Sequence, residues 1–453
     1  RATGLDWTFA PTVAVVKNTR WGRSYESYGQ DPELVYHLSK AMVSGLQDNL
    51  STDGILATAK HFIGDGAVKN GDDQGEAYIS EDELINRHAM GYYAALEADV
   101  QIVMASFSSA WQTKLHADHY LLSEVLKNKM GFDGFIISDY NAIRQITGCS
   151  TSSCPAAINA GIDMIMVPSN WKKFIENTLA QVENGEIAIS RIDDAVRRIL
   201  RVKMRAGLFE QVQPSLREHS GNSELIRSSE IKALARQAVR QSLVMLKNNE
   251  QLLPLNKSKN YLVINGDSIS RQAGGWSLGW QGYPSEEMFY PAGETILSGI
   301  KSLVEPEGGQ VFTSYNQAMK NNVAAAIVVL SEHFYAEMNG DIEPWLGTSF
   351  TQQALSKGGK ALEKLRTRQP DLPIVVVYLG GRPLWMNPQM NQSSSFVVAW
   401  LPGTEGGGVA DGIFGESPIN GRLSVNWPAD DCTGSPSETA NALFPVGYGL
   451  TFD

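Results

Sequence analysis

The sequence predicts an α/β fold in two parts, a partial (β/α)8 TIM-type barrel followed by a layered α/β sandwich. Three observations carry this. A chain of 453 residues exceeds what one ordinary hydrophobic core holds. Short apolar runs alternate with amphipathic stretches in both halves, the pattern of a parallel sheet with helical crossovers. An aperiodic stretch, 206–224, separates the two.

In the first part, strand-like runs occupy 7–16, 57–62, 102–107, 135–138 and 162–168. Helical patterns over 32–47, 82–97 and 121–129 lie between them. A strong amphipathic helix follows at 190–205, with Ser190 placed as its N-cap. Polar or glycine residues follow the strand ends, where a (β/α)8 barrel carries its chemistry. Only five such strands are visible, so a complete eight-stranded barrel does not fit. The division expected is a barrel domain at 1–207, a linker at 208–224 and a second domain at 225–453. In that second domain a helix is predicted over 233–247, and strands over 261–265, 324–330, 374–378 and 395–400. They read as a sheet with helices on both faces.

Composition narrows the function classes. Hydrophobic residues make up 43% and charged ones 19%, as in globular proteins. No apolar run is long enough to span a bilayer, so no membrane partner is expected. The net charge of −11 argues against nucleic acid, which calls for a basic face. Cys149 and Cys154 lie five apart, where a local disulfide and two free thiols are both open. With Cys432 they show no metal-site spacing, so neither metal nor cofactor is expected. The run Gly406-Gly407-Gly408 lacks the Lys-Ser/Thr of a phosphate loop. No Gly-x-Ser-x-Gly elbow is present.

Candidate chemistry sits at strand ends. Asp139 closes the run Phe135-Ile136-Ile137-Ser138, where a barrel nucleophile belongs, although an Asp capping the next helix is the plain alternative. Lys60-His61 offers adjacent hydrogen-bond donors ahead of Gly64-Asp65-Gly66, or simply a solvated loop. Arg23 suits clamping of vicinal hydroxyls or a surface ion pair with Glu26 or Asp31. Met104 and Met166 end two strands, where Met is usually core. In the second part Trp276 and Trp280 sit four apart in a Gly-rich loop suited to stacking on a sugar. The segment after the strand ending at Leu330 offers three acids, Glu332, Glu337 and Asp341, among which the residues alone do not choose.

Taken in order, Arg20-Trp21-Gly22-Arg23, Lys60-His61-Phe62-Ile63-Gly64-Asp65-Gly66, Ser138-Asp139, Gly161-Ile162-Asp163-Met164, Gly274-Gly275-Trp276 and Leu401-Pro402-Gly403-Thr404-Glu405-Gly406 resemble glycoside hydrolase family 3. The likeness is to its β-glucosidase and exo-β-glucan glucohydrolase branch. The resemblance implies a retaining exo-acting β-glucosidase, with Asp139 as nucleophile and Glu337 as acid/base. It implies that Arg23, Lys60, His61 and Met166 line the glucose subsite and that Trp280 forms one wall of the next, with Met104, Phe107, Tyr140 and Trp276 as further substrate-binding residues. The substrate class implied is a β-glucoside or β-gluco-oligosaccharide; oligomeric state is not readable.

Three departures from the family pattern stand out. Tyr140 occupies a place where Trp is common, weakening an aromatic clamp. Phe107 stands where a Tyr is usual and lacks its hydroxyl. The pattern also implies three strands ahead of Trp7, one bearing an Asp that grips remote hydroxyls, so the chain reads as a fragment or partial product. The N-acetylglucosaminidase branch would need a His where Asp65 stands. A β-xylosidase and an inactive carbohydrate-binding homologue are the alternatives. Substrate class and the Cys149–Cys154 pair favour a periplasmic or secreted protein.

Overall fold

The computed structural model describes residues 1–226, 228–283, 289–290, 292–354, 357–431 and 442–452. Cys432 lies outside them. The chain divides into two compact units, Arg1–Ile226 and Arg227–Asp453.

The first unit is built on three parallel strands in the order β1 (Thr58–Phe62), β2 (Ile102–Ala105) and β3 (Phe135–Ile137). Their residues alternate between two cores, as the period of two in a strand requires. Ala57, Ala59, Val103, Ala105 and Ile136 face the helices, packing with Val43, Tyr92, Ala95, Leu122 and Leu126. Leu56, Ile102, Met104, Phe135 and Ile137 face the other way, with Val202 and the half-buried Met164 and Met166.

Helix α1 (Pro32–Gln47) has the predicted bounds, and its start is well signalled. Pro32 opens it, and the Asp31 carboxylate accepts from the Glu33 N–H. The other elements differ from the sequence reading in instructive ways. The run 7–16 makes no continuous strand; it lies along β1 and the residues before it through isolated bridges at Trp7–Leu56 and Thr12–Lys60 and through backbone hydrogen bonds such as the Thr58 N–H to the Ala10 carbonyl at 2.8 Å. Pro11, which has no N–H to donate, interrupts it. The run 162–168 likewise contributes one bridge, Met164 to Ile137. The predicted helix 82–97 is broken into Glu81–Glu83, a π-type turn Leu84–His88 and Met90–Glu97. Ser190 is no cap: the helix spans Ile189–Arg205, and Ala188 precedes it without a side-chain bond. A further helix, Trp171–Glu183, went unpredicted.

The stretch 208–224 packs back on the first residues of the chain. Arg217 donates to the Gly4 carbonyl at 2.7 Å and pairs with Asp6, and the Gly221 N–H donates to the Ala2 carbonyl at 2.9 Å.

The second unit holds a six-stranded sheet. Its strands are β4 (Val244–Asn248), β5 (Tyr261–Ile264), β6 (Val311–Phe312), β7 (Ala325–Ser331), β8 (Ile374–Leu379) and β9 (Ser395–Trp400). They run in the order β4-β9-β8-β7-β5-β6, with only β4 antiparallel. The strands are near-continuous apolar runs because both faces are covered. Ile327, Val329, Val375 and Val377 pack with Ile300 and Val409 on one side. Val328, Leu330, Val376 and Tyr378 pack with Leu362 and Leu365 on the other. The predicted helix 233–247 is in fact a helix Ser229–Ser242 followed by β4. Burial of Val244, Met245 and Leu246 on alternate sheet faces overrides their helical reading.

Candidate active site

Asp139 lies two residues beyond β3, and three contacts surround it. Its N–H donates to His116 Nε2 at 2.9 Å, and Oδ1 accepts from the Tyr140 N–H at 2.6 Å. Oδ2 is buried and accepts no hydrogen bond, yet it lies 3.5 Å from His61 Nε2. Burial raises the Asp139 pKa above its ordinary value, with His61 opposing. A buried carboxylate oxygen left without a donor is costly, and such groups concentrate where chemistry needs a reactive oxygen.

His61 sits in β1 with the half-buried Lys60 beside it. Its ring is fixed from both sides. Arg23 Nη2 lies 3.3 Å from His61 Nε2, and His61 Nδ1 lies 2.6 Å from Asp65 Oδ2. A guanidinium only donates, so Nε2 must accept and the ring proton sits on Nδ1, directed at Asp65. Burial and then Arg23 drive the His61 pKa well below its ordinary value, keeping the ring neutral. Burial lifts Asp65 to about 6, and Ser106 donates to its other oxygen. Arg23 itself is gripped by Glu26 through two bonds of 3.0 Å. The ion pair with Glu26 and the approach to His61 therefore coexist, and the pair is buried rather than on the surface.

The first unit thus brings Arg23, Lys60, His61 and Asp139 into one neighbourhood, with Phe107 beside His116 at 6.0 Å between ring centroids. The Met166 N–H donates to Ser138 Oγ at 2.7 Å, and its carbonyl accepts from the Asn141 N–H at 3.1 Å. Tyr140 is 63% exposed. Met104 is 2% exposed and packs from β2 with Leu56 and Ile137, in the same cluster as Met166.

His116 is the residue that sequence reasoning missed. It accepts from Asp139 through Nε2 while Nδ1–H serves the Ser106 backbone, and burial holds its pKa at about 3 against an ordinary 6.5. The sign follows from linkage: a folded-state pKa below the unfolded one gives stability that is present above pH 6.5 and lost as pH falls toward 3. Asp65 and Asp73, both raised to about 6, act oppositely between 3.8 and 6, so a variant comparison is needed to isolate the histidine. His116→Gln is expected to gain thermal stability relative to the parent as pH falls from about 7 to 4.5. Parallel curves would show that His116 is not protonated on unfolding in this range.

In the second unit two of the three acids separate. Glu332 is buried at the end of β7. It accepts from Arg382 Nε at 2.9 Å, the Gly381 N–H at 3.2 Å and the Tyr335 hydroxyl at 3.3 Å. A carboxylate so engaged is a structural anchor. Glu337 is half-buried and opens a 3-10 turn, Glu337–Gly340, at a φ of 52°. Trp276 and Trp280 are about half exposed, at 49% and 50%, and the Trp276 N–H donates to the Trp280 carbonyl at 3.1 Å.

Cys149 and Cys154 form the disulfide left open above. Among the described residues, no helix is long and apolar enough to cross a membrane, and no cluster of three or more His, Cys, Asp or Glu suits a metal ion.

Comparison with known proteins gives a consistent pattern. Residues 1–202 match the glycosyl hydrolase family 3 N-terminal domain, and 243–452 match the C-terminal domain of the same family. The exo-1,3/1,4-beta-glucanase of a Pseudoalteromonas species shares 44% identity and a TM-score of 0.93, over 99% of this chain and 74% of that one. The periplasmic beta-glucosidase of Salmonella typhimurium is 27% identical, over 99% of this chain and 65% of the relative. A beta-xylosidase of Formosa agariphila is 28% identical, over 100% of this chain and 68% of the relative. The chain therefore spans just under two thirds of the length of the Salmonella relative.

Proposed function

This chain belongs to glycosyl hydrolase family 3, and from that premise we propose that it is a retaining, exo-acting β-glucosidase. The substrates would be β-glucosides and β-gluco-oligosaccharides, cleaved at their terminal non-reducing glucosyl residue. One observation supports the nucleophile above all: Asp139 Oδ2 is buried and undonated, at the tip of β3 and 3.5 Å from a neutral His61.

In this reading Glu337 gives its proton to the glycosidic oxygen as the C–O bond breaks. Asp139 attacks the anomeric carbon, forming a glucosyl ester. Glu337 then takes a proton from water, which attacks that carbon and releases glucose with retained configuration. Arg23, Lys60 and His61 bind sugar hydroxyls, with Phe107, Tyr140 and Met166 beside them. Trp276 and Trp280 supply stacking faces for the aglycone. The parallel order of β1, β2 and β3, flanked by the bridged runs at 7–16 and 162–168, supports reading the first unit as consecutive strands of a (β/α)8-type barrel. The disulfide, together with a relative named as periplasmic, supports a periplasmic or secreted location.

The test is covalent trapping with a 2-deoxy-2-fluoro-β-glucoside, followed by peptide mass spectrometry. A glucosyl adduct on the peptide holding Asp139 is expected. The Formosa relative makes β-xylosidase the second reading. Labelling by the fluoro-xyloside and not the fluoroglucoside would favour it, and labelling by neither would sink the retaining mechanism.

A further inference from the structure

The segment carrying Glu337 is clamped on both flanks. A residue with a Cβ is disfavoured in the left-handed region, so the φ of 52° at Glu337 persists only if its neighbours are held. On one flank, Ala336 is fully buried, and a single side chain serves both of its backbone groups. The Ala336 N–H donates to Gln281 Oε1 at 2.9 Å, and Gln281 Nε2 donates to the Ala336 carbonyl at 3.1 Å. On the other flank, Arg382 donates to the Gly340 carbonyl, is tied to Glu332, and lies over the Tyr335 ring at 4.3 Å.

Gln281 also belongs to the tryptophan loop. It follows Trp280 within a turn closed by the Gly282 N–H on the Gly279 carbonyl at 3.0 Å. Gly282 takes a φ of 81°, and a Cβ there would stand 2.6 Å from the Gly274 carbonyl oxygen and 2.8 Å from Phe334 Cδ2. The loop bearing Trp276 and Trp280 is thereby packed on the segment that bears Glu337.

We propose that Gln281 is a positioning residue for Glu337, its amide fixing the aim of the carboxyl through Ala336 and tying that aim to the aglycone-binding loop. This rests on the acid/base reading of Glu337 given above. The consequence is specific. In kcat/KM, which reports the step that forms the glucosyl ester, a displaced acid hurts only those substrates whose leaving group needs a proton, whereas a general loss of folding hurts all of them alike.

The experiment measures kcat and KM for a series of aryl β-glucosides, from 2,4-dinitrophenyl, which departs unaided, to phenyl, which needs the proton. It uses the parent protein, Gln281→Ala, Gln281→Glu and Glu337→Ala. Gln281→Ala is expected to lose roughly 10- to 100-fold in kcat/KM on the phenyl glucoside and less than about threefold on the dinitrophenyl one. Gln281→Glu keeps the acceptor for the Ala336 N–H and is expected to fall between, which serves if the alanine variant does not fold. An equal loss across the series, or none, in either Gln281 variant overturns the positioning role while Glu337→Ala still shows the leaving-group dependence. If Glu337→Ala lacks that dependence, the acid/base reading fails and the role of Gln281 with it.

Discussion

Asp139→Asn is expected to lower kcat by about four orders of magnitude or more, because it replaces the attacking oxygen while conserving shape. The substitution is informative because the surroundings of Asp139 need not move. The His116 bond is made by the Asp139 backbone, and Oδ1 can still accept from Tyr140. What vanishes is the negative charge and the undonated oxygen facing His61. Burial raises the Asp139 pKa, and attack needs the ionised carboxylate. The acid limb of kcat/KM should therefore lie at higher pH than an ordinary Asp would give. The check is steady-state kinetics on an aryl β-glucoside across pH, with the fluoroglucoside adduct measured on the same samples. Normal turnover by Asp139→Asn would remove Asp139 from the mechanism.

Glu337→Ala should separate the two half-reactions. Cleavage of substrates with poor leaving groups is expected to drop by roughly 10²- to 10⁴-fold, the span that general acid catalysis supplies. Dinitrophenyl glucoside should still glucosylate Asp139, and the trapped ester should then wait for a nucleophile that needs no base. Added azide is therefore expected to restore turnover and yield β-glucosyl azide, read by mass spectrometry. The same test on Glu332→Ala should give no azide product, since Glu332 is spent on Arg382, Gly381 and Tyr335. Azide rescue in an Asp341 variant, and not in the Glu337 variant, would reassign the role.

The legible part of this molecule was the part written in contiguous residues. Runs such as Phe135-Ile136-Ile137 and Ser395–Trp400 declare themselves because a strand buried on both faces must be apolar throughout. The helix over 32–47 is legible because its amphipathic spacing is a local property. Where pairing partners decide, the sequence misleads. Val244-Met245-Leu246 reads as the end of a helix until β9 offers it an edge to pair with. The site divides in the same way. Asp139, His61 and Arg23 stand in recognisable motifs, but His116 lies 23 residues from Asp139 and Gln281 lies 55 from Ala336. Nothing in their own neighbourhoods marks either of them, because each acts through a backbone group that only the folded chain brings near. Asp65 had a signal in hindsight, four residues after His61 and following a glycine at φ 93° that turns the chain back.

The clasp between 217–221 and the first residues bears on how the protein should be divided for study. Arg217 and Gly221 satisfy carbonyls of Gly4 and Ala2, and Arg217 also meets Asp6, so the start of the chain is held by residues over two hundred positions away. A truncation ending at residue 207, where the periodicity fades, would leave that opening segment without its partner. It would free two backbone carbonyls, leave Asp6 with Arg1 alone, and invite fraying into the bridged run around Trp7 and Thr12. An excised first unit should instead end at Ile226.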